Sequence, residues 1–298
     1  MQQHWDDVRV FLAVARAASL SGAGKHLRID PATVGRRIAR LELEIATALF
    51  VKSPQGYVLT NAGQRLMERA ETVEAAMQAA SDVLNTTSEE LSGQIRLGAP
   101  DGCANYLLPQ VCAAICADHP DLDIQIVALP RVFNLSKREA DMAIGVSAPT
   151  ANRLHVQKLT DYKLHLMAAR PYLRAHPPIQ TVRDLQDHRV IGYIPDMIFD
   201  TELDYLNDLG IKRVALASNS VSVQFNMVRQ GGGIGVVHDF AMPSARGLRK
   251  VLADQISLTR SFYLIRHKTD LQSARMKRFA SLLAQGVAEE VSRLEGLT

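Results

Sequence analysis

Long apolar runs are missing from these 298 residues. No uncharged stretch approaches the ~18 residues of a membrane-spanning helix, so that class of protein is not expected. Cysteine is scarce. Cys103, Cys112 and Cys116 are an odd number in a chain of this length, which excludes a disulfide scaffold. The opening Met-Gln-Gln-His-Trp-Asp-Asp has neither a basic nor an apolar signal region, so free thiols and a cytoplasmic protein are expected. Aromatic residues make up only 5% and include one tryptophan. The nine histidines form no HxH or HxxxH pair, and no metal site or cofactor is expected. No GxSxG motif or acid–base constellation is present either. Gly231-Gly232-Gly233-Ile234-Gly235 precedes a strand pattern, with no Gly-Lys-Ser/Thr after it, and reads as a helix-to-strand turn rather than a phosphate cradle. Cys112 and Cys116, four apart on a helical pattern, read as buried thiols. The expectation is a protein that is not an enzyme.

What is present is an ordinary globular composition, 47% apolar and 22% charged, with length for about two folding units. The net charge of +3 is small but unevenly placed. Residues 1–65 hold nine basic side chains against five acidic ones, and the rest of the chain is slightly acidic. A small basic N-terminal piece is what a polyanion partner requires.

That piece reads as three helices and a hairpin. Val8, Phe11, Leu12 and Ala15 form an apolar stripe, and Ser19 or Ser21 can cap a short helix through Ala23 to Leu27. Asp30 is an N-cap before Pro31 at the first helical position, followed by Val34, Ile38, Leu41 and Ile45 on one inward face. The opposite face carries Ala32, Thr33, Arg36, Arg37 and Arg40, small residues and guanidinium forks suited to a major groove and its phosphates. Pro54 and Gly56 then turn between two β-prone runs, with Lys52 and Gln55 on the hairpin. Helix–helix–helix–hairpin with a basic third helix describes a winged helix-turn-helix.

Phe11-Leu12-Ala13-Val14-Ala15, Ser19-Leu20-Ser21, Leu27, Ala32-Thr33-Val34, Arg37-Ile38, Leu41-Glu42, Leu49-Phe50 and Leu59-Thr60-Asn61-Ala62-Gly63 fall in order. Together they resemble the DNA-binding domain of LysR-type transcriptional regulators, closely over the first 65 residues and more loosely beyond. Gly24, Gly35 and Lys52 depart from the family's usual alanine, serine and arginine, which bears on the DNA sequence read rather than on binding itself.

Thr60 can cap a further helix in which Leu66, Ala70, Val73, Met77, Ala80 and Leu84 step by four and three, a heptad seam that suits a partner helix. The resemblance implies a linker helix pairing two chains. Residues 85–90 are polar, Ser92-Gly93 follows, and the stretch reads as a hinge. From there strand and helix patterns alternate, predicting a mainly parallel sheet in two α/β halves with a late strand returning, a periplasmic-binding-protein-like clamshell. The resemblance implies the same fold for an effector domain, with the C-terminal helix packed on its first half. The expected domains are 1–60 (winged helix-turn-helix), 61–91 (linker helix and hinge) and 92–298, the last split into 92–160 plus 266–298 and 161–265.

Ligands of such sheets bind outside strand C-termini. The candidate effector contacts are therefore Asp101, Gly102 and Cys103 after the first strand, Arg131 after the second, and Tyr193, Asn219 and Ser220 in the other half. Asp101 stands where family members often present serine or threonine, so a cationic or hydroxyl-rich effector is expected over an anionic one. The resulting expectation is a sequence-specific DNA-binding regulator modulated by a small molecule, a homodimer or homotetramer of this chain, with no membrane partner. An α/β solute-binding protein would need export, and an α/β enzyme would need a catalytic constellation.

Overall fold

The computed structural model describes residues 5–53, 56–85, 91–128, 140–151, 153–207, 209–211 and 213–297. They divide into two compact units. Residues 5–85 group with His267–Lys277, and the described residues of 91–128, 140–266 and 278–297 form the second unit. Gln55 and Arg131 lie outside the described residues, as does the side chain of Leu84.

The first unit is built from α1 (Trp5–Ala17), α2 (Leu20–Leu27), α3 (Pro31–Glu44), the hairpin β1 (Phe50–Ser53) and β2 (Gly56–Leu59), and α4 (Asn61–Asn85). Local side chains start the helices. Ser19 Oγ accepts from the Gly22 amide at 3.0 Å, Asp30 Oδ1 from the Ala32 amide at 2.8 Å, and Thr60 Oγ1 from the Gly63 amide at 3.0 Å. Val34, Ile38 and Leu41 are buried as the helical period requires. On α1 the buried set is wider than the stripe, taking in Val10, Ala13 and Val14, because other elements surround that helix. The wing is pinned by the Tyr57 amide donating to the Ala18 carbonyl at 2.9 Å. Gly56, at φ +113°, is needed there, since any Cβ would collide with that same oxygen. Phe11 meets Phe50 at 5.3 Å between ring centroids, and Phe50 meets Tyr57 edge-on at 5.8 Å, so helices and hairpin share one core.

The second unit contains β3 (Gly93–Ala99), α5 (Asp101–Tyr106), α6 (Leu108–Asp118), β4 (Leu122–Ala128), β5 (Met142–Gly145), β6 (Leu154–Ala169), α7 (Arg170–Ala175), β7 (Val190–Gly192), β8 (Leu216–Ala217), α8 (Val221–Arg229), β9 (Ile234–His238), β10 (Leu248–Lys250), β11 (Leu258–His267) and most of α9 (Ala274–Glu295). Its strands run in the order β4-β3-β5-β11-β6-β9-β7-β8, with β10 also paired to β6. Strand pairs β3–β4, β3–β5, β7–β8 and β7–β9 are parallel, whereas β5–β11, β6–β9 and β6–β10 are antiparallel. The sheet is therefore mixed rather than mainly parallel, because the long strands β6 and β11 lie side by side in its middle.

Three further details differ from the sequence pattern. The helical stretch that follows β3 is two helices, α5 and α6, with the chain bending at Leu107 and Pro109 in the first turn of α6. Strand β6 spans 16 residues and passes straight through position 160, where two halves were expected to part. Its polar first half, through Gln157, Lys158, Thr160 and Asp161, lacks alternation and hides the strand. The short β10 and α7 carry too few residues to show a period. Helix α9 buries Phe279, Leu283, Val287, Val291 and Leu294, and Gly286 lets it close on α6, where an added Cβ would lie 2.7 Å from Val111 Cγ1.

Phe11 is wholly buried where α1 meets the hairpin. Phe11→Ala is expected to lower the stability of the first unit by about 3–5 kcal/mol, read from chemical denaturation.

Candidate functional site

Two places in the chain bring functional side chains together, one in each unit. The first is the outer face of α3. Ala32 and Arg36 are exposed, Thr33 and Arg37 are half-buried, and Arg36 Nη2 donates to Thr33 Oγ1 at 2.9 Å, laying the guanidinium along the helix. Arg40 is held differently. Its Nε donates to Asp7 Oδ2 at 2.7 Å and its Nη2 to Asp7 Oδ1 at 2.5 Å, while half of its side chain faces solvent. Asp7 is fully buried on α1 and raises the Arg40 guanidinium above its ordinary range through that hydrogen bond. Arg37 Nη1 stands 3.8 Å from both Asp6 and Asp7. The arginine face is thus braced from beneath by carboxylates of α1. On the wing, Lys52 is exposed and its Nζ lies 5.9 Å from the Tyr57 ring centroid. Glu42 Oε1 accepts from the Leu49 and Phe50 amides at 2.6 and 3.1 Å, fixing how the chain leaves α3 for the wing.

On α4 the apolar seam divides. Ala70 is buried and Leu66 packs on the core of the first unit, whereas Val73, Met77 and Ala80 are exposed. Arg16 anchors the helix to α1, with Nη2 2.7 Å from Glu74 Oε2.

The second place is a small pocket of about 20 Å³ in the second unit. Of the expected contacts, Asp101, Gly102, Cys103, Tyr193 and Asn219 line it. Ser220 does not line it but caps α8, its Oγ accepting from the Val223 amide and donating to Asp101 Oδ2 at 3.0 Å. The same Asp101 oxygen accepts from the Ser222 amide at 2.8 Å. Asp101, the first residue of α5 just after β3, therefore reaches across to the N-terminus of α8, where the helix dipole favours a negative charge. The reading of Asp101 as a carboxylate open to a cationic effector changes accordingly, because this oxygen is already engaged.

Pro100, Val146, Phe199, Leu203, Val221, His238 and Phe262 complete the lining, and sequence reasoning missed the last six of these. His238 ends β9, so the rule that ligands gather at strand C-termini could have found it. Its ring stacks on Tyr162 at 5.3 Å, and Nδ1 is buried with no hydrogen-bond partner among the described residues. Burial pushes the imidazole down to about 4, so it is neutral at ordinary pH. Burial likewise pushes the Tyr193 phenol and the Cys103 thiol well up, and Cys112 up to about 12, so these groups keep their protons. Among the described residues no group of three or more His, Cys, Asp or Glu side chains could hold a metal ion, and no helix is long and apolar enough to cross a membrane.

Comparison with known proteins follows the same division. A family model described as "Bacterial regulatory helix-turn-helix protein, lysR family" matches residues 5–64, and one described as "LysR substrate binding domain" matches residues 88–288. The chain is 24% identical over 292 residues to the HTH-type transcriptional regulator PtxR of Pseudomonas aeruginosa, covering 95% of this chain and 93% of that one. Among solved structures it is similar to a full-length OxyR variant of Pseudomonas aeruginosa (TM-score 0.72, 17% identity, 95% and 97% of the two chains). It is also similar to ArgP of Mycobacterium tuberculosis (TM-score 0.71, 17% identity, 96% and 98%).

The buried His238 carries a pH dependence with a definite sign. Because its folded pKa, about 4, lies below the ordinary ~6.5, the folded state holds fewer protons between those values. Its contribution to stability is complete above ~6.5 and is lost as the pH falls towards about 4. Denaturation across that window is expected to show the loss, and His238→Phe is expected to remove that component of it.

Proposed function

The chain belongs to the LysR family of bacterial transcriptional regulators, and on that premise we propose that its α3 face reads operator DNA as part of a dimer. A helix-turn-helix module and an effector-binding domain make it a DNA-binding regulator, not an enzyme. The observation that carries the proposal is the exposed face of α3, with Ala32 and Thr33 at its N-terminal turn and Arg36, Arg37 and Arg40 following along it. Small residues let that turn approach base edges, and arginine matches guanine or phosphate with paired donors. Arg36, whose guanidinium meets the Thr33 hydroxyl and not a carboxylate among the described residues, would bear most of the new contact. Arg37 and Arg40, braced by Asp6 and Asp7, would contribute their remaining donors to phosphates. Lys52 and Gln55 would follow the backbone from the wing.

Regulators of this family oligomerise. The exposed Val73 and Ala80, on the α4 seam beyond the part that packs at home, support pairing with a second copy through that helix, and two such pairs would make a tetramer. The domain limits proposed are 1–60, 61–91 and 92–298, the last with its cleft between 92–160 plus 266–298 and 161–265. A small molecule bound there would act by favouring one of two arrangements of the assembly, since it can shift the equilibrium only by its difference in affinity for the two.

Fluorescence anisotropy on DNA upstream of the protein's own gene, against unrelated DNA and across a salt series, tests the reading. Preferential binding is expected. Arg36→Ala should weaken specific binding by about 1–3 kcal/mol, and an equal loss on all DNA with the salt slope reduced by about one would place Arg36 on phosphate instead. Val73→Glu should shift sedimentation towards monomer and weaken binding to a two-half-site DNA far more than to a single half-site.

A further inference from the structure

An open pocket of about 690 Å³ lies elsewhere in the second unit, at the ends of β7 and β8 where the chain enters those strands. Strands β7 and β8 run parallel and span three and two residues. Tyr193 and Asn219 follow them into the small pocket beside Asp101, whereas Arg189 and Arg213 precede them into this one. A third arginine, Arg183, comes from the short 3₁₀ helix Val182–Asp187, which is seated by the buried Leu185. Ligands of parallel sheets usually gather at strand C-termini, so no sequence rule points to this opposite end.

The charge of its walls is one-sided. Among the described lining residues three guanidinium groups stand against one carboxylate, Asp187, although the chain beyond residue 65 is slightly acidic as a whole. Asp184, the other carboxylate of the 3₁₀ helix, is used elsewhere. Its Oδ2 accepts from the Gln180 and Thr181 amides at 2.9 and 2.8 Å, which holds it below the usual carboxylate range. His188 adds no positive charge, because burial and the neighbouring His176 hold its imidazole below the ordinary range. The backbone beneath the arginines is fixed. The Arg189 amide donates to Tyr172 Oη at 3.1 Å, its carbonyl accepts from the Ile234 amide at 2.9 Å, and the Ala215 amide donates to the Val190 carbonyl at 2.9 Å. Arg189 Nη1 donates to the Gly232 carbonyl at 3.2 Å, while Arg183 and Arg213 are exposed and have no hydrogen-bond or ion-pair partner among the described residues. Beside them Val182, Leu209 and Ile211 leave apolar surface open.

A guanidinium offers paired donors that match the oxygens of phosphates and carboxylates, and three of them against one carboxylate are balanced by a doubly negative ligand. We propose that this pocket is a second ligand site, separate from the one beside Asp101, and that it takes a small organic dianion, either a phosphate monoester or a dicarboxylate. The charged end meets Arg183, Arg189 and Arg213, and the body rests on Val182, Leu209 and Ile211. A volume of about 690 Å³ lies within the range of sites that hold small molecules.

Calorimetric titration of the full chain with phenyl phosphate, benzoate and benzyl alcohol, a single ring carrying a double, a single and no negative charge, tests the site. Phenyl phosphate is expected to bind with a Kd of about 0.1–1 mM, at least ~10-fold tighter than benzoate, with benzyl alcohol weaker still. Phthalate, which places the same charge on two carboxylates, separates the two sources. If phenyl phosphate binds the more tightly the ligand is a phosphate ester, and if phthalate does it is a dicarboxylate. Arg183→Gln and Arg213→Gln, both at exposed positions that the fold does not depend on, should each weaken phenyl phosphate by ~5-fold or more and leave anisotropy on operator DNA unchanged. Arg36→Ala is the control for the arginine face of α3 and should leave the affinity for phenyl phosphate as it was. No detectable binding of phenyl phosphate, binding no tighter than that of benzoate, an unchanged affinity in both pocket variants, or loss of binding in Arg36→Ala would each overturn the proposal. Loss of DNA binding in the pocket variants would overturn it as well, by assigning those arginines to the duplex.

Discussion

A carboxylate taken out of water has to be matched by a donor or a positive charge, and that constraint organises both units of this protein. Desolvation of an ionised group costs several kcal/mol unless partners replace the lost water, so the position of each such group dictates what must stand beside it. In the first unit the group is Asp7, wholly buried on α1, and its partner is Arg40 on α3. In the second it is Asp239, 2% exposed, which meets His165 Nδ1 at 2.8 Å and Lys250 Nζ at 2.8 Å and so joins β6, β10 and the end of β9. Asp101 obeys the same rule at the cleft, with the α8 terminus as its partner.

These pairings set what is left for function. An arginine that must satisfy a buried aspartate has a defined orientation before any DNA arrives, and less rotamer entropy remains to be lost on binding. The same pairing divides labour along α3, since Arg36 turns to a hydroxyl while Arg37 and Arg40 stand on carboxylates. In the cleft the effect is subtractive. By accepting from Ser220 Oγ and the Ser222 amide, Asp101 occupies donors at the α8 terminus that an anion from outside would otherwise meet.

The seam on α4 shows how one periodic pattern can serve two surfaces. Its heptad spacing is continuous, yet Ala70 is buried in its own unit while Val73 and Met77 are exposed. Periodicity specifies which residues share a face, but not where along the helix one neighbour ends and another begins. That depends on the reach of α1, whose Arg16 meets Glu74 at the point where home packing ends.

The elements that sequence alone determined are those whose signals act within a turn or two of chain. Ser19, Asp30 and Thr60 cap helices through bonds spanning two or three residues, and Val34, Ile38 and Leu41 are buried by the helical period itself. The winged helix-turn-helix, the basic face of α3 and the family resemblance were legible for that reason. Tertiary structure alone decided the rest. The polar first half of β6 belongs to a strand set between β11 and β9 in the sheet, although its residues do not alternate. The Asp7–Arg40 pair joins residues 33 apart, and the contacts of Asp101 with α8 span about 120. The cleft likewise gathers Pro100, Val146, Phe199, His238 and Phe262 from distant stretches. No local spacing encodes such meetings. They follow from the order of strands in the sheet, which only the packing of the whole unit selects.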